Sequence, residues 1–265
     1  MSEYVFPLTA RREIADGTMA FWFDTTGSDF SFIAGQYAGF TLIDPPETAA
    51  PQSGASLAQN AFHFERDAEG IKRDFSIASS PDELPHIMIT TRTRDTAFKR
   101  NLRNMPLGTK IKVSAPMGSF VLHKNADKPA LFIVGGIGIT PIRSIVADAT
   151  HRKLPHKMML LYSNRTVAST AFLAEFESWA KKNPNFIFIP TITDEQPTNW
   201  NHEVGRITEP MLRTHLVRLS PPVTSHLSPV TYIVGPPAFV SAMLPIAEKA
   251  GVDPDSIRTE EFAGY

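Results

Sequence analysis

Near residue 125 the chain changes rhythm, and that change limits what it can fold into. Before it come short runs rich in aromatic and β-branched residues: YVFPLTARREI (4–14), TMAFWFDTT (18–26), GQYAGFTLID (35–44), RDFSIASS (73–80), HIMITTRT (86–93) and TKIKVSAP (109–116). Gly, Pro, Asp and Ser separate them, the usual punctuation between strands. One helical segment, TAFKRNLRNM (96–105), interrupts the series with Thr96 as its N-cap. Six strands and one helix predict a small closed antiparallel barrel. After residue 129 strands and helices alternate. ALFIVGG, KMMLLYS, NFIFIPTIT, TYIVG and SIRTEEF read as strands, while 141–150, 169–182, 209–216 and 237–251 read as helices. That alternation predicts a parallel sheet covered on both faces. The join falls in HKNADKP (123–129), giving a first domain of 1–124 and a second of 125–265.

A chain of 265 residues has enough apolar content for two cores. Its net charge of −1 is not the basic footprint of a nucleic-acid binder. With no cysteine, the sequence offers no disulfide, no thiolate zinc site and no ligands for an iron–sulfur cluster. The start MSEYVFPLTARREI lacks the basic and apolar regions of a signal peptide, and no stretch approaches the ~20 apolar residues of a membrane span. The expectation is a soluble, cytoplasmic protein. Residues 45–72, rich in Pro, Ala and Ser, read as a long mobile loop.

Three motifs carry chemistry. VGGIGITPIRS (134–144) follows a strand and opens a helix. Its glycines allow close approach to a pyrophosphate, and the helix start offers free amides to anionic oxygens. Pro141 suits the first helical position, where its missing N–H costs nothing. By itself the stretch reads equally well as a ligand-free turn. A third glycine serves helix–strand packing in the usual dinucleotide loop, so its absence argues for a different loop. RDFSIAS (73–79) places a cation, a ring and a hydroxyl on one strand. Arg73 and Phe75 point one way, Asp74 and Ser76 the other. Alone, that strand favours core packing for Phe75. The third motif is YIVGPPAFV (232–240).

In this order the three motifs resemble the ferredoxin–NADP reductase superfamily, over nearly the whole chain. The resemblance implies a stand-alone two-domain form without an iron–sulfur domain: a six-stranded antiparallel FAD-binding barrel followed by a parallel-sheet nucleotide-binding α/β domain. It implies that Arg73 pairs with the FAD pyrophosphate, with Asp74 beside it, that Phe75 lies against the flavin or ribityl, and that Ser76 hydrogen-bonds near flavin N5, where the hydride arrives. It places Ile89, Thr90 and Arg92 along the ribityl and adenosine, and Thr96, Ala97 and Phe98 at the helix start that receives the pyrophosphate. Gly135, Gly136, Thr140 and Pro141 belong to the nucleotide loop, with Thr140 where the two cofactors meet. Gly235 and Pro236 approach the nicotinamide ribose, and Val234 stands where many members carry cysteine. APMGSF (115–120) resembles a Gly-Pro-x-Gly turn with Ala115 replacing the first glycine. Near the carboxyl end, Phe262 matches the aromatic that shields the flavin, with Glu260 close by, and Tyr265 is expected to reach the isoalloxazine or the adenine.

Ser163, Asn164 and Arg165 end the second parallel strand, where the adenine ribose is expected. Arg165 suits a 2′-phosphate, whereas Asp194 repels phosphate and accepts from a ribose hydroxyl. The balance favours NADH and keeps NADPH open. No histidine pair has metal-ligand spacing, so no metal is expected, and His151, His156 and His215 read as solvated or structural. Half of the basic run TRTRDTAFKRNLR (91–103) is expected to serve FAD phosphates, and the rest reads equally as a docking face for an acidic carrier and as a solvated helix face. The expected reaction is hydride transfer from NAD(P)H to flavin N5, followed by electron release to a separate soluble acceptor. That acceptor is expected to be a ferredoxin- or flavodoxin-like or haem protein. An electron-relay subunit of a larger complex and a free-flavin or ferric reductase are the alternatives.

Overall fold

The computed structural model describes residues 2–43, 64–114, 116–219 and 228–262. The first sheet comprises β1 (Glu3–Ala15), β2 (Thr18–Asp24), β3 (Tyr37–Leu42), β4 (Lys72–Ser76), β5 (His86–Arg92) and β6 (Lys110–Ser114), with helix α1 (Ala97–Asn104) between β5 and β6. Its order is β4-β3-β6-β1-β2-β5, and every pairing is antiparallel. β1 turns the corner. Glu3–Pro7 pairs with β6, Leu8–Ala15 pairs with β2, and register shifts fall between Leu8 and Ala10 and between Glu13 and Ala15. The sheet thereby curls until its two end strands meet, and just beyond β4 the Ala78 amide donates to the Met88 carbonyl at 2.7 Å. The barrel interior is aromatic: Phe21, Phe23, Phe40, Phe75 and Phe98 are all buried there. Each such ring contributes about 1.5–3 kcal/mol on leaving water.

The second sheet runs β10-β9-β8-β7-β11-β12 and is parallel throughout. Its strands are β7 (Ala130–Gly135), β8 (Met158–Asn164), β9 (Phe186–Ile192), β10 (Glu203–Val204), β11 (Val230–Gly235) and β12 (Ile257–Glu261). Helices α2 (Ile139–His151), α3 (Leu173–Lys182), α4 (Glu209–Leu219) and α5 (Pro237–Lys249) cover it. β7 and β11 are buried at every residue, as central strands covered on both faces must be. The two-residue β10 carries too little pattern to be legible in the sequence. α2 begins at Ile139, two residues before the expected start, because a 3-10 turn over Gly136–Gly138 leads straight into it. Pro141 still lies in the first turn, where no intrahelical partner is lost.

The two halves share an apolar core in which Ala20, Ala78 and Met88 of the barrel meet Phe132 and Tyr232 of the second sheet and Ile142 of α2. Polar contacts reinforce it. Arg143 on α2 is 7% exposed, donates to the Ala78 carbonyl at 2.8 Å, and pairs with Glu83 at 2.8 Å and Glu175 at 2.7 Å. Ser144 donates to the Ser79 carbonyl at 2.6 Å, and the Asp16 amide to the Ala168 carbonyl at 2.9 Å. Among the described residues, no helix is long and apolar enough to cross a membrane.

Candidate functional site

Strand order reverses at β7: the next strand lies on one side, and β11 was added on the other. A crevice beyond the carboxyl ends of the strands is the geometric consequence of that switch. Here it is a cleft of about 820 Å³. Gly135 and Gly136 enter it from β7, Ser163, Asn164 and Arg165 from β8, Thr193 and Asp194 from beyond β9, and Pro236 from beyond β11. Arg92 and Arg94 line it from the barrel side, and Arg206 lines it from just beyond β10. Four guanidiniums against the single carboxylate of Asp194 make the lining cationic, which suits a phosphate-bearing ligand.

The glycines of the nucleotide loop have separate tasks. Gly136 sits at φ +54°, in the left-handed region that side chains disfavour. A Cβ on Gly138 would lie 2.7 Å from the Val234 carbonyl oxygen, so this residue packs the turn onto β11. That explains the missing third glycine of the usual fingerprint: close packing is supplied earlier in the turn. Thr140 is buried, and its hydroxyl donates to the Ile137 carbonyl at 3.2 Å. Phe239, from the first turn of α5, lines the cleft with its ring against Gly135 and Gly235.

Counting antiparallel register back from the Ala78–Met88 contact sets Ser76 on β4 opposite Thr90 on β5. The strands do not pair there, and both side-chain hydroxyls are buried without a hydrogen-bond partner. Two orphaned hydroxyls across one seam suit the polar edge of a ring, since a buried hydroxyl left unpaired costs about 1–3 kcal/mol. Phe75 departs from its expected place. Its ring lies in the barrel core, 5.8 Å from both Phe40 and Phe98, because its half of the strand faces inward. Ile89 is likewise a core residue, and Asp74 is exposed beside Gly39.

Arg73 reaches over the Phe98 ring at 5.5 Å and pairs with Glu69 at 2.6 Å. Thr96 caps α1, as expected, accepting from the Lys99 amide at 3.4 Å, and the Ala97 amide donates to Asp67 at 2.9 Å. Arg92 donates to Thr18 at 2.9 Å and to the Ser169 carbonyl at 3.3 Å, linking barrel and cleft.

β12 brings the carboxyl end alongside β11, with Glu260 opposite Val234. The Phe262 amide donates to the Gly235 carbonyl at 3.0 Å, and its half-buried ring packs against the shared core. Burial pushes the Glu260 carboxyl up to about 7, and its Oε2 is buried without a hydrogen-bond partner. Tyr265, Ala115 and residues 45–63 lie outside the described residues. His156 and His215 are structural, bonding the His123 carbonyl and Glu203, each at 2.8 Å. Arg94, Arg206 and Phe239 in the cleft, and Arg143 at the interface, are additions that the sequence does not announce. A lone Arg in a loop, or an aromatic after Gly-Pro-Pro, carries no periodic signal.

Known proteins agree with this geometry. Residues 132–244 match the family of the oxidoreductase NAD-binding domain. One subunit of the Na(+)-translocating NADH-quinone reductase of Serratia proteamaculans is 28% identical over 260 residues, covering 90% of this chain and 62% of that protein. An NADH-cytochrome b5 reductase 1 from Candida albicans is 28% identical over 187 residues, covering 70% and 62%. Against the corresponding quinone reductase subunit of Methylococcus capsulatus, the chain spans 49% of the relative's length. Among solved structures, the FAD/NAD-binding domain of nitric oxide dioxygenase from Vibrio cholerae superimposes with a TM-score of 0.74 at 17% identity, covering 97% and 98% of the two chains. A ferredoxin NADP+ reductase from Neisseria gonorrhoeae with bound FAD and NADP gives 0.72 at 16% identity, covering 98% of each. The family match covers residues 132–244, and the two-domain fold of the whole chain is shared with both solved structures.

Proposed function

We propose that the chain is an NAD(P)H-dependent flavoprotein reductase that binds FAD in its barrel, takes a hydride from a nicotinamide and passes electrons to a separate acceptor. The observation that carries this reading is that β5 carries both features: Arg92 lines the cationic cleft at the strand switch point, and the hydroxyl of Thr90, two residues before it, is buried without a partner, as is that of Ser76 on β4. FAD supplies the two-electron acceptor that releases electrons one at a time.

The chain's residues do the rest. Residues 1–124 hold the flavin, with Ser76 and Thr90 donating to its polar edge and Arg73 and the amides at the start of α1 receiving its diphosphate. Residues 125–265 hold the nicotinamide nucleotide across Gly135, Gly136 and Pro236, with Ser163, Asn164, Arg165 and Asp194 at the adenine ribose. Phe262 shields the reacting rings from water, and Glu260 keeps a proton-holding group beside them. NADH is the preferred donor. Asp194 supports that choice, as do the two relatives whose names specify NADH.

A soluble one-electron carrier, ferredoxin- or flavodoxin-like or a haem protein, is the acceptor, and the protein works in the cytoplasm. A second reading, an electron-entry component of a larger complex, is favoured by the quinone reductase relative aligned with 90% of this chain. Steady-state NADH oxidation against a panel of ferredoxin, flavodoxin, cytochrome, free flavin, ferric chelate and ferricyanide tests the choice. Turnover with protein carriers supports the reductase. Turnover with ferricyanide alone supports the second reading.

A further inference from the structure

Lys99 is an unusual lysine. It lies in the first turn of α1 and is only 7% exposed. Burial holds its ammonium down at about 8, and the like charges of Arg94 and Arg73 push the same way, with Glu69 opposing them. Gathering three cations with one of them buried opposes folding unless negative charge is brought to the same place.

In the chain, that charge comes from Asp67 and Glu69. Glu69 accepts from Arg73 at 2.6 Å, and Asp67 lies 3.8 Å from the same guanidinium. The other Asp67 oxygen accepts from the Ala97 amide at 2.9 Å. Asp67 therefore bridges a guanidinium and the start of a helix while Glu69 holds the same guanidinium, an arrangement that a ligand with two linked anionic groups satisfies equally well. Aspartate and glutamate here mark a place built for anions, and Lys99 lies beside it.

We propose that Lys99 is a diphosphate anchor, which together with Arg73 holds the charged middle of FAD in the place now taken by the Asp67 and Glu69 carboxylates. This rests on the flavin reading of the barrel and adds a binding residue that the motif order does not contain. The ammonium supplies a charge-assisted hydrogen bond, and the anion in turn stabilises its protonated form.

The test uses the full chain stripped of flavin and titrated separately with FAD, riboflavin and NADH, following ligand fluorescence. Lys99→Met is expected to weaken FAD about tenfold or more, the effect of one hydrogen bond to a charged group. Riboflavin, which has the ring but no phosphate, and NADH are expected to bind as in the wild type, and Lys99→Arg to recover most of the FAD affinity. Because the substitution relieves like-charge crowding, the stripped Lys99→Met protein is expected to melt no lower than the wild type. Unchanged FAD affinity overturns the proposal, as does equal weakening of FAD and riboflavin, the mark of a merely structural lysine. Weakening of NADH in place of FAD assigns Lys99 to the other nucleotide and also overturns it. A wild type that takes up neither FAD nor riboflavin overturns the flavin reading itself, a failure distinct from the others.

Discussion

Arg165 and Asp194 face each other at 4.0 Å across the ends of β8 and β9, and the Asp194 amide donates to the Arg165 carbonyl at 2.9 Å. Two residues that pull nucleotide preference in opposite directions are thus neighbours at one corner of the cleft. With side chains 85% and 56% exposed, the pair adds little stability. On the proposed placement of the adenine ribose its consequence lies in recognition, because a carboxylate there pairs with the guanidinium and repels a 2′-phosphate. Asp194→Ser is expected to raise the ratio of kcat/KM for NADPH over NADH about tenfold, equivalent to about 1.4 kcal/mol. Asp194→Arg is expected to raise it further, and Arg165→Ala in the Asp194→Ser background to abolish the gain. Steady-state kinetics with both nucleotides measure each ratio.

Ser76 separates stability from function. Its hydroxyl is buried and unpartnered, so Ser76→Ala removes an unsatisfied group and is expected to stabilise the flavin-free protein by about 1 kcal/mol. The same change is expected to slow flavin reduction at least tenfold while leaving FAD affinity nearly intact, because in the proposed site this donor serves the hydride-accepting edge. Calorimetry of the stripped protein and single-turnover reduction of the loaded one check the two halves.

Glu260 gives the site a pH dependence. Its carboxyl has an ordinary value of 4.5 and stands at about 7 in the folded chain, so folding tightens its hold on a proton. Its contribution to stability is therefore full below about pH 4.5 and lost as pH rises through about 7. Glu260→Gln is expected to remove that decline and to melt higher than the wild type at pH 8. An inflection near pH 7 in kcat/KM is expected for the wild type and not for the variant, which a pH series from 5 to 9 detects.

Arg143 holds the two sheets in register through Glu83, Glu175 and the Ala78 carbonyl, with its guanidinium stacked 5.1 Å from Phe172 and 5.6 Å from Trp179. Arg143→Ala strands those carboxylates beside an apolar interface. Because the glutamates are partly exposed, the expected loss is about 2–3 kcal/mol, below that of a fully buried pair. Denaturant unfolding measures it. A transition that splits in two would show that the sheets unfold separately once the clamp is gone.

The rhythm of the chain made both sheets legible, because the alternation of Lys with buried Ile111 and Val113 in β6 and the continuous burial of β7 each leave a distinct hydrophobic period. Motif order made the nucleotide cleft legible for a similar reason: Gly136 and Gly138 answer local backbone demands that only glycine meets. Phe75 was harder, since a ring on a barrel strand has the same pattern whether it faces a ligand or the core. Arg206 and Phe239 join the cleft only because α5 and the segment after β10 pass its rim, a tertiary fact without local periodicity. Asp67 and Glu69 lie at the end of a polar excursion, where nothing in composition announces that two carboxylates would meet Arg73 and the start of α1.

The most direct test of the central claim is anaerobic stopped-flow mixing of the FAD-loaded protein with NADH and, separately, NADPH, following the oxidised flavin band at ~450 nm. Rapid, saturable bleaching by NADH and slower bleaching by NADPH are expected, with one nicotinamide consumed per flavin. A yellow protein that neither nucleotide bleaches would contradict it.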